Sequence, residues 1–109
     1  MYLRKRGYNL RKVVIAGYGE ASLEMAGFFK KNPQFGYKFL GYFDNNQFGL
    51  KEEVLGRMDQ LKQYVLEKDV DEIYCLVPTM PVTEVSDIIG FGENNTVRVK
   101  IIPDIKAYF

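Results

Sequence analysis

Short apolar segments alternate along this chain with segments whose apolar residues recur at helical spacing, and this alternation restricts the fold more than any other feature. The expected strands are residues 12–16, 37–43, 72–77 and 96–102, and the expected helices are residues 20–31, 58–68 and 82–91. Strands that alternate with helices in this way are typical of a parallel sheet with helices on both faces. Because crossovers between parallel strands are right-handed, few strand orders remain, and 3-2-1-4 is the order we expect.

The pattern therefore predicts an α/β fold, a Rossmann-like half with a parallel sheet of about four strands. The chain has 109 residues, which is enough for one domain. Residues 44–53 are polar and contain glycine, so we expect a loop there. Residues 54–56 are expected to be only a short extended link.

Charge and residue composition exclude several classes of function. The chain has 15 Lys and Arg against 14 Asp and Glu, and its net charge of +1 gives no bulk attraction to nucleic acid. It contains one cysteine and no histidine, which excludes an internal disulfide and any catalytic site that needs histidine. So few nitrogen and sulfur ligands also argue against a zinc site. We therefore assign no catalytic residue, no metal ligand and no nucleic-acid partner.

The segment VVIAGYGEASLEMAG, residues 13–27, is the main candidate for a ligand site. An apolar strand runs into a glycine turn and then into a helix, whose first N–H groups can bind an anion. The spacing is that of a dinucleotide-binding fingerprint in which Ser22 replaces the third glycine, and Asp44 stands where an acid contacts the ribose. The candidate binding residues are Gly17, Tyr18, Gly19, Glu20, Ser22, Asp44, Pro78 and Thr79.

Two interpretations of this turn remain open. Ser22 could donate its hydroxyl to a phosphate, but its side chain also loosens the helix–strand packing that a glycine permits. Glu20 suits the positive end of the helix dipole, yet its charge would repel a phosphate at the same place. In the alternative interpretation the two glycines serve only the geometry of the turn, and Asp44 only hydrogen-bonds to it.

Other residues have simpler interpretations. Pro78 and Thr79 follow an expected strand and would either line the same crevice or form a plain loop. Cys75 lies among apolar residues within that strand, so we expect an inert core thiol. The acidic residues at 69, 71 and 72 are expected to form a solvated loop before it.

Five segments, taken together, resemble a known family: RGYNLRKVVIAGYGE, NPQFGYKFLGYFD, VLGRMDQL, VDEIYCLVP and VRVKIIPD, which cover nearly the whole chain in this order. They are similar to the nucleotide-binding-like domain, often called CoA-binding-like, of bacterial polyprenyl glycosylphosphotransferases of the undecaprenyl-phosphate glucose phosphotransferase type. A closely similar domain precedes the catalytic part of membrane-bound nucleotide-sugar 4,6-dehydratases. The blocks RGYNLRK and DEIYCLVP favour the transferase.

The resemblance implies a domain of a larger membrane protein. Residues 1–11 would be a basic linker after an upstream membrane region, and residues 12–109 would be the Rossmann-like domain. The parent would move a hexose phosphate from a UDP-sugar to undecaprenyl phosphate, at the cytoplasmic face of the bacterial inner membrane, in exopolysaccharide synthesis. Its catalytic residues and magnesium would lie in another domain. This domain would be an accessory or regulatory part, not itself catalytic, and soluble as a fragment.

The resemblance leaves the ligand open. A nucleotide or UDP-sugar is the expected ligand class, ahead of NAD and CoA, and the rest of the parent protein is an expected partner. The alternatives are the equivalent domain of a membrane-bound dehydratase or epimerase, and a ligand-free module that forms homo-oligomers. A self-contained NAD-dependent oxidoreductase is disfavoured, because the chain supplies only one mononucleotide-binding half.

Overall fold

The structure is a computed structural model that describes residues 10–77 and 80–103. Its strands are β1 (Arg11–Ala16), β2 (Tyr37–Phe43), β3 (Val54–Gly56), β4 (Glu72–Val77) and β5 (Arg98–Pro103). Its α-helices are α1 (Glu20–Lys31), α2 (Leu61–Glu67) and α3 (Val82–Asn95). Within the described residues the five strands form one parallel sheet in the order β3-β2-β1-β4-β5.

The α/β fold with helices on both faces of a parallel sheet is confirmed, but the sheet has five strands and not four. Residues 54–56, expected to be a link, form the edge strand β3 beside β2. The order 3-2-1-4 holds once β3 is counted as the third strand, and β5 extends the sheet beyond β4. The segment 72–77 was the third strand of the expected four-strand sheet, which would place it beside β2. In the structure this segment is β4 and pairs with β1.

The two faces of the sheet bury separate apolar layers. α1 covers one face, and α2 and α3 cover the other. The buried residues of the α1 layer include Val13, Ile15, Ala26, Phe29, Tyr42 and Leu76. Those of the opposite layer include Val14, Ala16, Leu61, Val65, Cys75 and Ile88. Because β1 is covered on both faces, residues 13–16 are all fully buried, which explains the unbroken apolar run in the sequence.

β3 can pair with β2 because Gly41 leaves room for it. Gly41 has a φ of 155°, which L side chains rarely adopt, and the pairing of β2 with β1 shifts register just before it. A Cβ atom at this position would lie 2.7 Å from the carbonyl oxygen of Glu53 and 2.6 Å from the side chain of Leu55. A larger residue at position 41 would therefore push the edge strand away from the sheet.

The helix boundaries differ from the prediction. α2 begins at Leu61 and not at residue 58, because residues 58–60 form a short 3-10 turn. α3 continues past residue 91 to Asn95, and Thr96 ends it in the left-handed conformation with a φ of 58°. β1 begins at Arg11, the last residue of the segment expected to be a linker.

No helix in residues 10–77 and 80–103 has both the length and the apolar character that a membrane crossing requires.

Candidate functional site

The carboxyl ends of β1, β2 and β4 form the crevice in which open α/β sheets bind ligands. β1 ends in the turn Gly17–Gly19, and Asp44 follows β2. Gly17 has a φ of 106°, and its N–H donates to the carbonyl oxygen of Phe43 at 2.8 Å. The N–H of Tyr18 donates to Oδ1 of Asp44 at 3.2 Å. The structure thus places these candidate residues in contact with one another.

Ser22 caps the start of α1. Gly19, the residue before the helix, has an extended backbone with a φ of −173° and a ψ of −175°. The Ser22 hydroxyl accepts from the N–H of Gly19 at 2.7 Å and donates to the carbonyl oxygen of Gly19 at 2.8 Å. Ser22 is fully buried. The side chain that replaces the third fingerprint glycine is therefore engaged within the turn.

Asp44 holds the chain where it leaves β2. Its Oδ2 accepts from the N–H of Asn46 at 3.1 Å and from the N–H of Gln47 at 2.9 Å. Its other oxygen accepts from Tyr18, in the turn after β1. Three backbone N–H groups thus converge on one carboxylate, which ties together the ends of two neighbouring strands.

The remaining candidate residues differ in their surroundings. The Tyr18 side chain packs edge-on against the ring of Tyr42, with ring centroids 4.9 Å apart. Glu20 is the first residue of α1 and is exposed. Pro78 and Thr79 lie outside the described residues, so their place in the crevice stays a prediction.

A cleft that sequence analysis missed adjoins the crevice on the side of α2 and α3. Its volume is about 320 Å³, near the lower end of the range of roughly 300–1,000 Å³ for small-molecule sites. The residues that line this α2–α3 cleft are Asn45, Met58, Asp59, Leu61, Lys62, Glu84, Asp87 and Ile88. Lys62 pairs with Asp87 at 2.5 Å, and the other two acids leave the lining negative. These residues come from three separate segments, so no local motif reveals the cleft.

The sequence model of a family described as a CoA-binding domain matches residues 1–103. The chain belongs to this CoA-binding domain family. Three curated proteins with sequences similar to this chain are each named UDP-glucose:undecaprenyl-phosphate glucose-1-phosphate transferase. The resemblance to the undecaprenyl-phosphate glucose phosphotransferase type is therefore confirmed.

The relatives are distant but match nearly all of the chain. The transferase of Xanthomonas campestris pv. campestris is 22% identical over 95% of this chain. That of Escherichia coli K12 is 26% identical over 98%, and that of Klebsiella pneumoniae is 24% identical over 98%. The chain spans only 23% of the length of each relative.

Solved structures support the Rossmann-like fold of this CoA-binding domain. The Rex-family repressor RSP matches with a TM-score of 0.68 at 14% identity, over 90% of this chain and 47% of the repressor. UDP-D-quinovosamine 4-dehydrogenase from Vibrio fischeri matches with a TM-score of 0.68 at 19% identity, over 89% of this chain and 81% of the dehydrogenase chain. At these identities the similarity shows the fold alone.

A buried carboxylate lies away from the crevice, at the amino end of β4. The expectation that Glu72 belongs to a solvated loop is wrong, because Glu72 is the first residue of β4 and is 0% exposed. Its Oε1 accepts from the hydroxyl of Tyr74 at 2.8 Å and lies 3.7 Å from Nζ of Lys100. Its Oε2 lies 3.4 Å from Nη1 of Arg11. The sequence could have indicated the contact with Tyr74. In a strand over EIYCLV the side chains alternate between the two faces, which places Glu72 on the same face as Tyr74.

Burial also changes the acidity of groups inside this domain. Burial, and then the hydrogen bond to Glu72, raises the pKa of Tyr74 well above its ordinary value. Cys75 is fully buried, and burial raises the pKa of its thiol to about 12. A thiol with so high a pKa is not a nucleophile near neutral pH, as expected for an inert core cysteine. Within the described ranges, no three His, Cys, Asp or Glu residues are grouped so that they could hold a metal ion.

Proposed function

We propose that this chain is an accessory, non-catalytic domain of a membrane sugar-1-phosphate transferase. The observation that carries the proposal is the alignment of 95–98% of the chain with three transferases of one name, in which it spans 23% of their length. The parent would move a hexose phosphate from a UDP-sugar to undecaprenyl phosphate in exopolysaccharide synthesis. The transfer chemistry and its magnesium would belong to the remaining three quarters or so of the parent.

The domain would serve the transferase by binding a nucleotide or nucleotide-sugar in the crevice. The supporting observation is positional, because the turn Gly17–Gly19, the start of α1 and Asp44 converge at the carboxyl ends of β1 and β2. Ligands of open α/β sheets bind at this edge, near the point where the strand order reverses. Tyr18 and Glu20 would then contact the ligand from one side, and Thr79 from the other.

A ligand-free oligomerisation module is the second candidate. It is favoured by the internal hydrogen bonds of the glycine turn, because all three N–H groups of the turn donate to acceptors within the chain. In that case the crevice would be a structural junction, and another surface would contact the partner.

Titration calorimetry of the chain with UDP, UDP-glucose, NAD and CoA tests the ligand. We expect heat with UDP or UDP-glucose, and a loss of about fivefold in affinity for Tyr18→Ala, because Tyr18 lies in the turn after β1 and its side chain is only partly buried. Phe35→Ala is the matched control, since it removes an exposed aromatic side chain beyond the other end of α1. No heat with any of the four compounds at millimolar concentration would exclude a nucleotide-binding role. A dimer in sedimentation without ligand would then support the second candidate.

The parent is tested separately from the ligand. If the proposal is right, the coding sequence on either side specifies transmembrane helices before this domain and a membrane-associated catalytic domain after it. A dehydrogenase or dehydratase domain in the downstream position would replace the transferase with the alternative parent.

A further inference from the structure

Every N–H group of the glycine turn is already bonded within the chain. The N–H of Gly19 donates to Oγ of Ser22 at 2.7 Å. The two preceding N–H groups donate to the carbonyl oxygen of Phe43 at 2.8 Å and to the carboxylate of Asp44 at 3.2 Å. In dinucleotide-binding turns, backbone N–H groups of the turn and of the helix start bind the ligand diphosphate. Here a diphosphate could reach the turn's donors only by displacing partners that belong to the fold.

Ser22 supplies the acceptor that a phosphate oxygen would otherwise supply. Its hydroxyl is fixed from both sides, because it accepts from the N–H of Gly19 and donates to the carbonyl oxygen of Gly19. Ser22 is 0% exposed, so water does not compete for this hydroxyl. A glycine at position 22 has no side chain and would leave the Gly19 N–H available to a ligand. The single substitution in the fingerprint therefore closes the turn on itself.

The carboxylate oxygens of Asp44 are likewise engaged in hydrogen bonds within the chain. The acid at this position in a dinucleotide site accepts hydrogen bonds from the ribose. In this chain Oδ2 already accepts from two N–H groups and Oδ1 from a third. A ribose at this carboxylate would compete with the bonds that join the ends of β1 and β2.

We infer that the glycine turn is self-capped and does not bind the diphosphate of CoA, NAD or a UDP-sugar, so that a nucleotide in the crevice is held through its uncharged base. The binding of a nucleotide rests on the proposed function, whereas the capping rests on the hydrogen bonds alone. The α2–α3 cleft offers no second site for the diphosphate, because three acids face one lysine in its lining.

Calorimetry with uridine and UDP separates the base from the diphosphate. For the unchanged chain we expect the two affinities to agree within about threefold, because the diphosphate adds no contact at the turn. In Ser22→Gly the Gly19 N–H is released, and we expect the affinity for UDP to rise about tenfold relative to uridine. Ser22→Ala should give a smaller gain, because it releases the same N–H but keeps a methyl group. Ala21→Gly is the matched control, since it adds a glycine to the first turn of α1, next to Ser22, without releasing this N–H.

Amide hydrogen exchange tests the capping without any ligand. The Gly19 N–H should exchange at least about tenfold faster in Ser22→Ala than in the unchanged chain, and Ala21→Gly should leave its rate unaltered. Equal exchange rates in Ser22→Ala and the unchanged chain would overturn the capping. A tenfold preference of the unchanged chain for UDP over uridine would overturn the exclusion of the diphosphate. If neither compound binds the unchanged chain, the nucleotide-binding part of the proposed function fails, and the exchange rates still support or overturn the capping.

Discussion

A carboxylate as deeply buried as that of Glu72 must exchange its water for partners within the protein. Its two cations pair with it over longer distances, 3.4 Å for Arg11 and 3.7 Å for Lys100, and their side chains are 38% and 41% exposed. The Tyr74 hydroxyl donates over only 2.8 Å. Because the cations remain partly hydrated, the tyrosine is the partner whose loss the carboxylate can least replace.

Tyr74→Phe should therefore destabilise the domain. The substitution keeps the ring and removes one hydrogen bond to a buried charge, which is worth about 1.5–3 kcal/mol of the free energy of unfolding. Urea unfolding near neutral pH measures the loss. Tyr64→Phe is the control, because Tyr64 packs in the opposite layer, beside Phe43. We expect it to cost less than about 0.5 kcal/mol. Similar losses in the two variants would contradict the role assigned to the hydroxyl.

The position of a single residue was predictable where the course of the backbone determines it. The meeting of the glycine turn with Asp44 followed from parallel strands that end at one edge of a sheet. The capping by Ser22 did not follow, because a serine hydroxyl can equally donate to a ligand, and only the 2.7 Å contact with Gly19 distinguishes the two cases. Glu72 was misplaced because it was grouped with the neighbouring acids and not with the alternation of its own strand.

Elements were predictable when they were long enough to show a period. β1, β2 and β4 have six or seven residues each and were expected within a residue or two of where they lie. β3 has three residues, which is too short for a pattern, and it exists because Gly41 allows Glu53 and Leu55 to approach β2. A close approach of this kind depends on two segments that are distant in the chain, so no local window contains it.

The end of α3 offers a test of local backbone strain. Thr96 adopts a φ of 58°, which a β-branched residue rarely does, and its N–H still donates to the carbonyl oxygen of Gly92. Glycine removes the strain and keeps this bond, so Thr96→Gly should raise the free energy of unfolding by about 0.5–1 kcal/mol. The same change at Thr83, in the first turn of α3, should lower it by roughly 0.3 kcal/mol. Thermal or urea unfolding of both variants measures these changes in the free energy of unfolding. A loss of stability in Thr96→Gly would contradict the assignment of strain to Thr96.

At the scale of the whole molecule, the two edges of the sheet differ in character. The carboxyl edge carries the self-capped turn and the α2–α3 cleft, where polar groups remain open to solvent. The amino edge holds Glu72 at the start of β4, where the contacts serve stability. The alternation of strands and helices predicted which turns meet at the carboxyl edge. It could not predict the capped turn or the cleft, because the first depends on individual hydrogen bonds and the second is assembled from distant segments.

The two apolar layers also determine how the molecule responds to alkali. Tyr42 belongs to the α1 layer and Cys75 to the opposite layer, and both are buried. Burial raises the pKa of Tyr42 from 10 to about 12, with a further contribution from Glu53. Burial raises the pKa of Cys75 from 9 to about 12. In each case the folded protein keeps a proton that the unfolded chain gives up more readily.

Stability should therefore fall as the pH rises from 9 to 12. Well below pH 9 both groups are neutral in the folded and in the unfolded protein, so they do not yet reduce the free energy of unfolding. At higher pH both groups ionise in the unfolded chain before they ionise in the folded protein, and this stabilises the unfolded chain. By pH 11 we expect a loss of roughly 1.4 kcal/mol from Tyr42 and roughly 2.7 kcal/mol from Cys75. Urea unfolding at pH 8, 10 and 11 would measure it, with the double variant Tyr42→Phe and Cys75→Ala compared with the unchanged chain. The double variant should begin less stable at pH 8 but lose less on going to pH 11, and parallel losses in the two proteins would show that other groups cause the alkaline unfolding.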